Sequence, residues 1–387
     1  MQSRILPSGG PQEEKLSMIP VFRPKLPTAS KLLPYLERID EARWYANFGP
    51  LYKEFQARIA AHFGLGADQV VLVSNATIGI TLALQAIGLQ RPDRQAICPS
   101  WTFAATPHAI AAAGLSPVFA DVDAETWTLN LDLLDEQDVR SASGIVMVSP
   151  FGSLVDTDKW ERFSERKGIP VVCDAAASFD AIGRDSFRVG TIPIVISLHA
   201  TKSLAAAEGA IILCTDPDVV ERIRQMSNFG FSTTSVAQVL GTNAKMSEYN
   251  CAVGLASLDA WQETRSRLAQ IRNYYWEKLR DVSGVTPFGG GQDYVANYMV
   301  IETVGDGYQL SNHLAQRGIE TRRWWRSGCH QHPAFASYNV KPLPETRRLG
   351  IHTLGLPFFT ELTEADIDHV VGSVAEYHSK EPALAAH

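Results

Sequence analysis

Residues 70–89 read VVLVSNATIGITLALQAIGL, an apolar tetrapeptide that gives way to polar residues and then to a long apolar stretch. The run 70–73 is typical of a fully buried strand, and 78–89 is typical of the helix that follows it. The same order recurs along the chain, with strand signals at 96–98 and 145–148 before helix signals at 103–113 and 158–167. Further apolar strands are predicted at 171–173, 192–198 and 210–214. This alternation predicts an α/β fold with a mostly parallel sheet, in which ligands bind beyond the carboxyl ends of the strands.

The pattern changes after about residue 246. One long helical stretch is predicted over 247–279, followed by shorter strand and helix signals at 298–303 and 309–316. We therefore expect a loose N-terminal arm over 1–20, a large domain over 21–250 and a small C-terminal α+β domain over 251–387. The tail over 381–387 is expected to fray.

Composition and charge bound the class of protein. The 387 residues carry a formal net charge of −7, which argues against a protein-wide field that attracts nucleic acid or an acidic membrane. The 5 cysteines are scattered and form no C-x-x-C pair, so the sequence predicts neither a disulfide framework nor a zinc site. No apolar run is long enough to span a bilayer, and the first ten residues do not resemble a signal peptide. We expect a cytoplasmic enzyme.

Two strand exits are candidates for holding a planar or anionic ligand. Residues 74–77, Ser-Asn-Ala-Thr, lie between a strand and a helix, where free backbone N–H groups and hydroxyls form an anion site. Simple helix capping is the alternative interpretation. The strand at 96–98 runs into Trp101 and Phe103, whose rings could stack on a planar group or pack in the core.

Two further exits carry a carboxylate and an amine. Asp174 ends the apolar strand 171–173 and precedes small residues, so it is suited to pair with a pyridinium nitrogen or to cap a helix. Lys202 follows the strand 192–198, and partial desolvation there would prepare its amine to form a Schiff base and shuttle protons. Ser197, on the same strand, can offer a hydroxyl to a phosphate.

With these residues in place, the chain resembles the DegT/DnrJ/EryC1/StrS family of sugar aminotransferases over about residues 19–374. The resemblance rests on seven segments in the family's order: NFGP (47–50), SNAT (74–77), PSWTFAAT (99–106), DAA (174–176), SLHATK (197–202), EG (208–209) and GTNAKMSE (241–248). It implies the fold-type I architecture of aspartate aminotransferase, a pyridoxal 5'-phosphate (PLP) cofactor and a homodimer with shared active sites.

Site roles follow from the resemblance position by position. Lys202 matches the lysine that forms the internal aldimine, with pyridoxamine phosphate as the intermediate of the reaction, and Asp174 matches the acid that pairs with the pyridine nitrogen. The remaining cofactor-binding positions are a ring contact, three phosphate contacts and an asparagine that reaches the phosphate from the other subunit: Phe103, Ala76, Thr77, Ser197 and Asn243.

Substrate contacts are less transferable because the chain departs from the family there. The expected substrate-binding residues are Lys245, Arg323, Trp324, Trp325 and His330, with Arg322 and Arg326 as further candidates for a diphosphate, and the run is richer in tryptophan than in the family. Ala177 and Ala210 stand where many members have glutamine and glycine. The loop Cys329-His330-Gln331-His332 offers too few ligands to predict a metal site.

The resemblance implies transfer of an amino group from L-glutamate to a nucleotide-linked keto-deoxyhexose, a step in the biosynthesis of O-antigen, lipopolysaccharide or glycosylated natural products. Ile19-Pro-Val and the segment 47–50 favour C4 of a dTDP-4-keto-6-deoxyhexose, while a 3-keto sugar or a UDP or GDP carrier stays open. Sugar 3-dehydration is disfavoured because those members have histidine at the position of Lys202. A non-catalytic PLP-binding regulator or scaffold also stays open.

Overall fold

The computed structural model describes residues 18–88, 95–134, 136–184, 186–289 and 293–380. The predicted arm, apart from residues 18–20, and the predicted frayed tail over 381–387 lie outside the described residues. The strands are β1 (Val70–Val73), β2 (Gln95–Pro99), β3 (Ser116–Ala120), β4 (Ala142–Val148), β5 (Val171–Asp174), β6 (Ile194–Ser197), β7 (Ala210–Leu213), β8 (Val285–Pro287), β9 (Met299–Thr303), β10 (Asn339–Val340) and β11 (Thr353–Leu356).

Helices separate most of these strands, as the alternating pattern predicts. They are α1 (Ala29–Ala42), α2 (Pro50–His62), α3 (Ala76–Ala86), α4 (Ala105–Ala112), α5 (Glu136–Ser141), α6 (Thr157–Lys167), α7 (Phe179–Ile182), α8 (Pro217–Ser227), α9 (Glu248–Asp259), α10 (Trp261–Leu279), α11 (Gly307–Ala315), α12 (Pro344–His352) and α13 (Glu364–Lys380).

An eight-stranded sheet in the order β1-β7-β6-β5-β4-β2-β3-β10 forms the centre of the fold. Its strands are parallel except β7, which runs antiparallel to both of its neighbours, β1 and β6. The predicted α/β fold with a mostly parallel sheet is confirmed.

Both faces of this sheet are covered. Successive residues of β1 alternate between two apolar clusters, with Val70 and Leu72 in one and Val71 and Val73 in the other. The first cluster contains side chains of α2, α6, α9 and α10, and the second contains those of α3, α4 and α8. Because a strand covered on both faces has no solvent face, it needs the near-continuous apolar sequence seen here.

A smaller antiparallel sheet in the order β11-β9-β8 follows in the C-terminal part of the chain. Helices α10, α11 and α12 contact its strands β8, β11 and β9, respectively. The two-residue β10 instead pairs with β3 in the large sheet, so the C-terminal third of the chain contributes to both sheets.

The predicted continuous helix over 247–279 is wrong at one point. Ala260 ends α9 and precedes α10, with φ −93° and ψ 4°. Trp261, the first residue of α10, is buried and meets Phe179 edge-on, with ring centroids 4.9 Å apart. Packing of one large aromatic side chain thus outweighs the helical preference of the surrounding sequence.

The expected division between residues 250 and 251 falls inside α9 and stays a prediction. Across the described ranges, no helix is both long enough and apolar enough to cross a membrane.

Helix α9 holds the start of α2 through one buried carboxylate. Glu248 is 1% exposed, and its two oxygens accept the backbone N–H groups of Leu51 and Tyr52 at 2.7 and 2.9 Å. These N–H groups lie in the first turn of α2 and have no partner within the helix, so an anion there satisfies them and favours the helix dipole. Asn47 and Phe48, just before the helix, have positive φ, which turns the chain into this contact.

We expect Glu248→Ala to lower the free energy of unfolding by about 2 kcal/mol, because two buried N–H groups lose a charged acceptor. Glu248→Gln, which keeps one acceptor oxygen, should lose roughly half as much. Urea unfolding monitored by circular dichroism measures both. Equal stability of Glu248→Ala and the parent chain would show that the contact does not fasten α2.

Candidate active site

The carboxyl ends of β1, β5 and β6 meet at one edge of the large sheet. Val73 and Ser197 pair with the same residue of β7, Ala210, from opposite sides. Neighbouring strands lie about 4.8 Å apart, so the exits of β1 and β6 are about 10 Å apart. Ala210, which stands in place of a family glycine, is therefore buried between the two segments expected to bind phosphate.

The segment after β1 forms a helix N-terminus that can receive an anion. Asn75 is the N-cap of α3, and its side-chain oxygen accepts the N–H of Ile78 at 2.9 Å. Ala76 and Thr77 form the first turn, where helical geometry leaves backbone N–H groups unpaired within the helix. Asn75 thus accounts for the capping role, while Ala76 and Thr77 present N–H groups at the sheet edge.

Asp174 is buried at the end of β5 and hydrogen-bonded on both oxygens. Its Oδ2 accepts the hydroxyl of Thr106 at 2.6 Å, and its Oδ1 accepts the N–H of Ala176 at 3.2 Å. The carbonyl of Ala176 in turn accepts the N–H of Ser197 at 3.2 Å. Asp174 and the exit of β6 are therefore fixed relative to each other through one intervening peptide.

Burial raises the pKa of Asp174, while the Thr106 hydroxyl, the Ala176 N–H and the charge of Lys202 oppose that rise. Asp174 ends β5 and Lys202 follows the adjacent parallel strand β6, so the carboxylate and the amine emerge at the same edge of the sheet. Within the described part of the chain, Asp174 has no ion-pair partner, and such a buried carboxylate is suited to attract a cationic ring nitrogen.

Lys202 lies in the turn after β6, and its position is set by two other parts of the chain. Its Nζ donates to the hydroxyl of Tyr298 at 3.0 Å. Helix α9 holds the segment that follows, because Asn250 donates to the carbonyl of Ala206 and Ser257 donates to that of Ala205.

The segment after β2 brings one buried and one exposed aromatic ring to the same edge. Trp101 is buried, whereas Phe103 is 67% exposed, unusual for so large an apolar side chain. Thr102 and Thr106 between and beyond them hydrogen-bond each other at 2.8 Å and so connect this segment to Asp174. Phe103 is therefore free to cover a ligand at the site.

The two tryptophans that are expected to bind substrate belong to an aromatic cluster beside Lys202. Trp324 meets the ring of Tyr298 edge-on at 4.9 Å, and Trp325 stacks on Phe151 at 4.1 Å. His330 lies next to the same cluster, where its Nδ1 and the buried hydroxyl of Ser100 are 2.7 Å apart. Burial and the charge of Arg347 lower the pKa of His330.

The predicted basic residues divide into two groups. Arg323 donates to the carbonyl of Gly350, and its buried Nε has no hydrogen-bond partner among the described residues. Lys245 instead lies near β1, donates to Asn243 at 2.7 Å and stands over the ring of Phe229. Burial lowers the pKa of Lys245. The segment is anchored to the exit of β1, where Ser74 donates to the carbonyl of Ala244.

Sequence reasoning missed two residues that contact the predicted pair. Thr106 lies in a quoted motif, and its spacing of four from Thr102 is the only local signal for a shared hydrogen bond. Tyr298 is 96 positions from Lys202, and no local pattern indicates that contact.

The site residues fit a PLP-type cofactor on structural grounds. A buried acid, an exposed aromatic ring and a first helix turn with a nearby serine match a ring nitrogen, a ring face and a phosphate, respectively. The matching residues are Asp174, Phe103, Ala76, Thr77 and Ser197.

The chain is similar to known proteins over most of its length. The model of the DegT/DnrJ/EryC1/StrS aminotransferase family matches residues 28–375. The dTDP-4-amino-4,6-dideoxy-D-glucose transaminase of Shigella dysenteriae is 27% identical over 368 residues, which cover 92% of this chain and 99% of that enzyme.

Two solved structures share the fold. A putative PLP-dependent aminotransferase from Bacillus cereus ATCC 10987 has a TM-score of 0.86 and 28% identity, covering 92% of this chain and 100% of its own. DesI, solved in the presence of its TDP-sugar product, has a TM-score of 0.85 and 32% identity, covering 96% of this chain and 95% of its own.

Because burial raises the pKa of Asp174, its charge destabilises the folded chain. This cost is absent below the ordinary pKa of 3.8, grows as the pH rises past that value and is complete above the folded-state pKa. We expect Asp174→Asn to raise the unfolding free energy of the ligand-free protein by about 1 kcal/mol at pH 7, with little gain near pH 3.5. Thermal unfolding across that range measures it.

Glu37→Gln, at an exposed acid in the middle of α1, is the control and should change neither value. A loss of stability in Asp174→Asn at pH 7 would mean that the hydrogen bonds and Lys202 outweigh the cost of burial.

Proposed function

Because the chain belongs to the DegT/DnrJ/EryC1/StrS aminotransferase family, we propose that it uses Lys202 as the PLP lysine and transfers an amino group to a nucleotide-linked ketosugar. The observation that carries this proposal is that the buried Asp174 and Lys202 emerge from the adjacent strands β5 and β6 at one sheet edge. The exit of β1, with its helix turn, lies about 10 Å from the exit of β6 across β7.

Each protein group has a separate task in this proposal. Asp174 would face the ring nitrogen, Phe103 would cover the ring, and Ala76, Thr77 and Ser197 would hold the phosphate. PLP supplies an electron sink for the carbon that loses or gains a proton. The Nζ of Lys202, when it is not bonded to the cofactor, takes up that proton and returns it.

The proposed acceptor is a dTDP-4-keto-6-deoxyhexose, aminated at C4. Support comes from the Shigella relative, a dTDP-4-amino-4,6-dideoxy-D-glucose transaminase, and from the TDP-sugar product in the DesI structure. Arg323 offers its buried Nε, and Arg322 and Arg326 are exposed on the same segment, so that this segment provides cationic contacts for a diphosphate. Trp324, Trp325 and His330 would form the sugar-facing wall, and L-glutamate is the proposed amino donor.

We further propose a cytoplasmic homodimer in which Asn243 completes the partner's phosphate site. The segment before Asn243 exposes apolar side chains, with Phe229 at 47%, Val236 at 62% and Leu240 at 92%. Exposed large apolar side chains within one short segment are typical of surfaces that pack against another chain. Lys245 donates to Asn243, so it would lie at the same subunit interface and contact the substrate there.

We expect Lys202→Ala to abolish transamination and retain the fold, because among the described residues its Nζ hydrogen-bonds to Tyr298 alone. Borohydride reduction of the PLP-loaded parent protein, followed by peptide mapping, should place the pyridoxyl group on Lys202. Absorbance in the visible range should change when L-glutamate is added.

Lys53→Ala, an exposed lysine on α2, is the matched control and should keep both activity and label. Label on another lysine, or normal turnover by Lys202→Ala, would overturn the assignment. A labelled protein whose spectrum ignores every amino donor would instead indicate a non-catalytic PLP-binding protein.

A panel of nucleotide ketosugars with L-glutamate identifies the acceptor, with products read by mass spectrometry. We expect the dTDP-4-keto-6-deoxyhexose to react at least tenfold faster than 3-keto, UDP-linked or GDP-linked sugars, since misplaced polar contacts cost one or more powers of ten. Faster reaction of a 3-keto sugar or of another carrier would replace the C4 or dTDP part of the proposal.

A further inference from the structure

One short segment before β9 crosses the site and contacts the chain around Lys202 from the other side. In this crossing segment, residues 293–298, the N–H of Val295 donates to Asp180 at 2.8 Å, and the side-chain amide of Asn297 donates to the carbonyl of Thr201 at 2.5 Å. The next residue, Tyr298, receives the Nζ of Lys202 at 3.0 Å. Asn297 thus holds the backbone of the turn that carries Lys202, and its neighbour Tyr298 holds the side chain of Lys202.

The anchors of the crossing segment are themselves fixed. Asp180 is 4% exposed, and Arg265 donates to its second oxygen at 2.6 Å. Gly152 packs so closely that an added Cβ would lie 2.5 Å from the Cβ of Ala296 and 2.7 Å from the carbonyl oxygen of Ala177, and its φ is +86°. The segment therefore has little freedom to move away from Lys202.

The ring of Tyr298 is also held in one orientation. Trp324 meets it at an interplanar angle of 88°, and Phe151 meets it at 67° with centroids 5.7 Å apart. The Nζ of Lys202 is 5.4 Å from the ring centroid but only 3.0 Å from the hydroxyl. The hydroxyl, rather than the ring face, is the group that contacts the amine.

We infer that Tyr298 is a positioning residue that holds the Nζ of Lys202 whenever that amine is not covalently bound. This inference rests on the proposed function, since it concerns the amine that moves the proton. A lysine side chain has several rotatable bonds, and proton transfer requires its amine at a defined place.

A phenol suits this task in both protonation states of the amine. A hydroxyl oxygen accepts a hydrogen bond from an ammonium group, and the hydroxyl can donate one to a neutral amine. A carboxylate in the same place would favour the charged amine, which cannot take up a proton. Tyr298 can therefore keep its contact while Lys202 gains and loses the proton.

Tyr298→Phe tests the inference because it removes only the hydroxyl and keeps the ring packed against Trp324 and Phe151. We expect kcat to fall roughly tenfold, while KM for both substrates stays within about twofold. Competitive acetylation of the cofactor-free protein, read by peptide mass spectrometry between about pH 7 and pH 10, should show Lys202 reacting about threefold faster, since the amine is released from its partner.

Tyr294→Phe is the matched control, because Tyr294 lies in the same crossing segment with its hydroxyl beside Gly289. It should change neither kcat nor the acetylation of Lys202. Acetylation is measured below the unfolding transition of each variant, so it remains informative even if Tyr298→Phe melts earlier.

The result that overturns the inference is a Tyr298→Phe variant with the kcat and the Lys202 reactivity of the parent, in a protein that carries pyridoxyl on Lys202 after reduction. If the parent protein itself carries no such label, the proposed function fails, and the acetylation result still decides whether Tyr298 restrains the amine.

Discussion

A sheet buried on both faces can present polar groups to a ligand at its strand ends, and in a parallel sheet the ligand sites lie at the carboxyl ends. The two apolar clusters on either side of the large sheet impose this constraint, and the site follows from it. Asp174, Ser197 and the turn after β1 emerge at the same edge because their strands are parallel. The antiparallel strand β7 lies between β1 and β6 and so separates the turn after β1 from Ser197. The order and direction of the strands therefore determine which side chains meet at the site.

Much of this edge could be predicted from the sequence because each signal is local. An apolar run that ends in Asp174, or that precedes Lys202 by a few residues, identifies both the strand and the group at its exit. The break at Ala260 could not be predicted in the same way, because it depends on Trp261 reaching Phe179, a residue of another helix. Asn243 has no comparable local signal, and only the resemblance to the family predicts its role, which requires a second chain.

The contacts that sequence reasoning missed join distant parts of the chain. Tyr298 and Asn297 lie in the crossing segment, and Glu248 lies in α9, yet they contact the turn of Lys202 and the start of α2. The residue types do not indicate these contacts, because a tyrosine before a strand and a glutamate at the start of a helix are common. Their partners come from segments far away in the chain, so no local sequence pattern indicates these contacts.

The two-residue strand β10 has a consequence for the chain as a whole. It pairs with β3, and Lys341 beyond it donates to the carbonyl of Phe119, so part of the outermost edge of the large sheet is covered by residues from the last fifty of the sequence. A fragment ending near residue 250 would leave that edge bare, and unpaired strand edges recruit other chains into aggregates. The fragment that ends near residue 250 is therefore a poor candidate for expression by itself. In the full chain, β10 and Lys341 cover this edge and so oppose self-association.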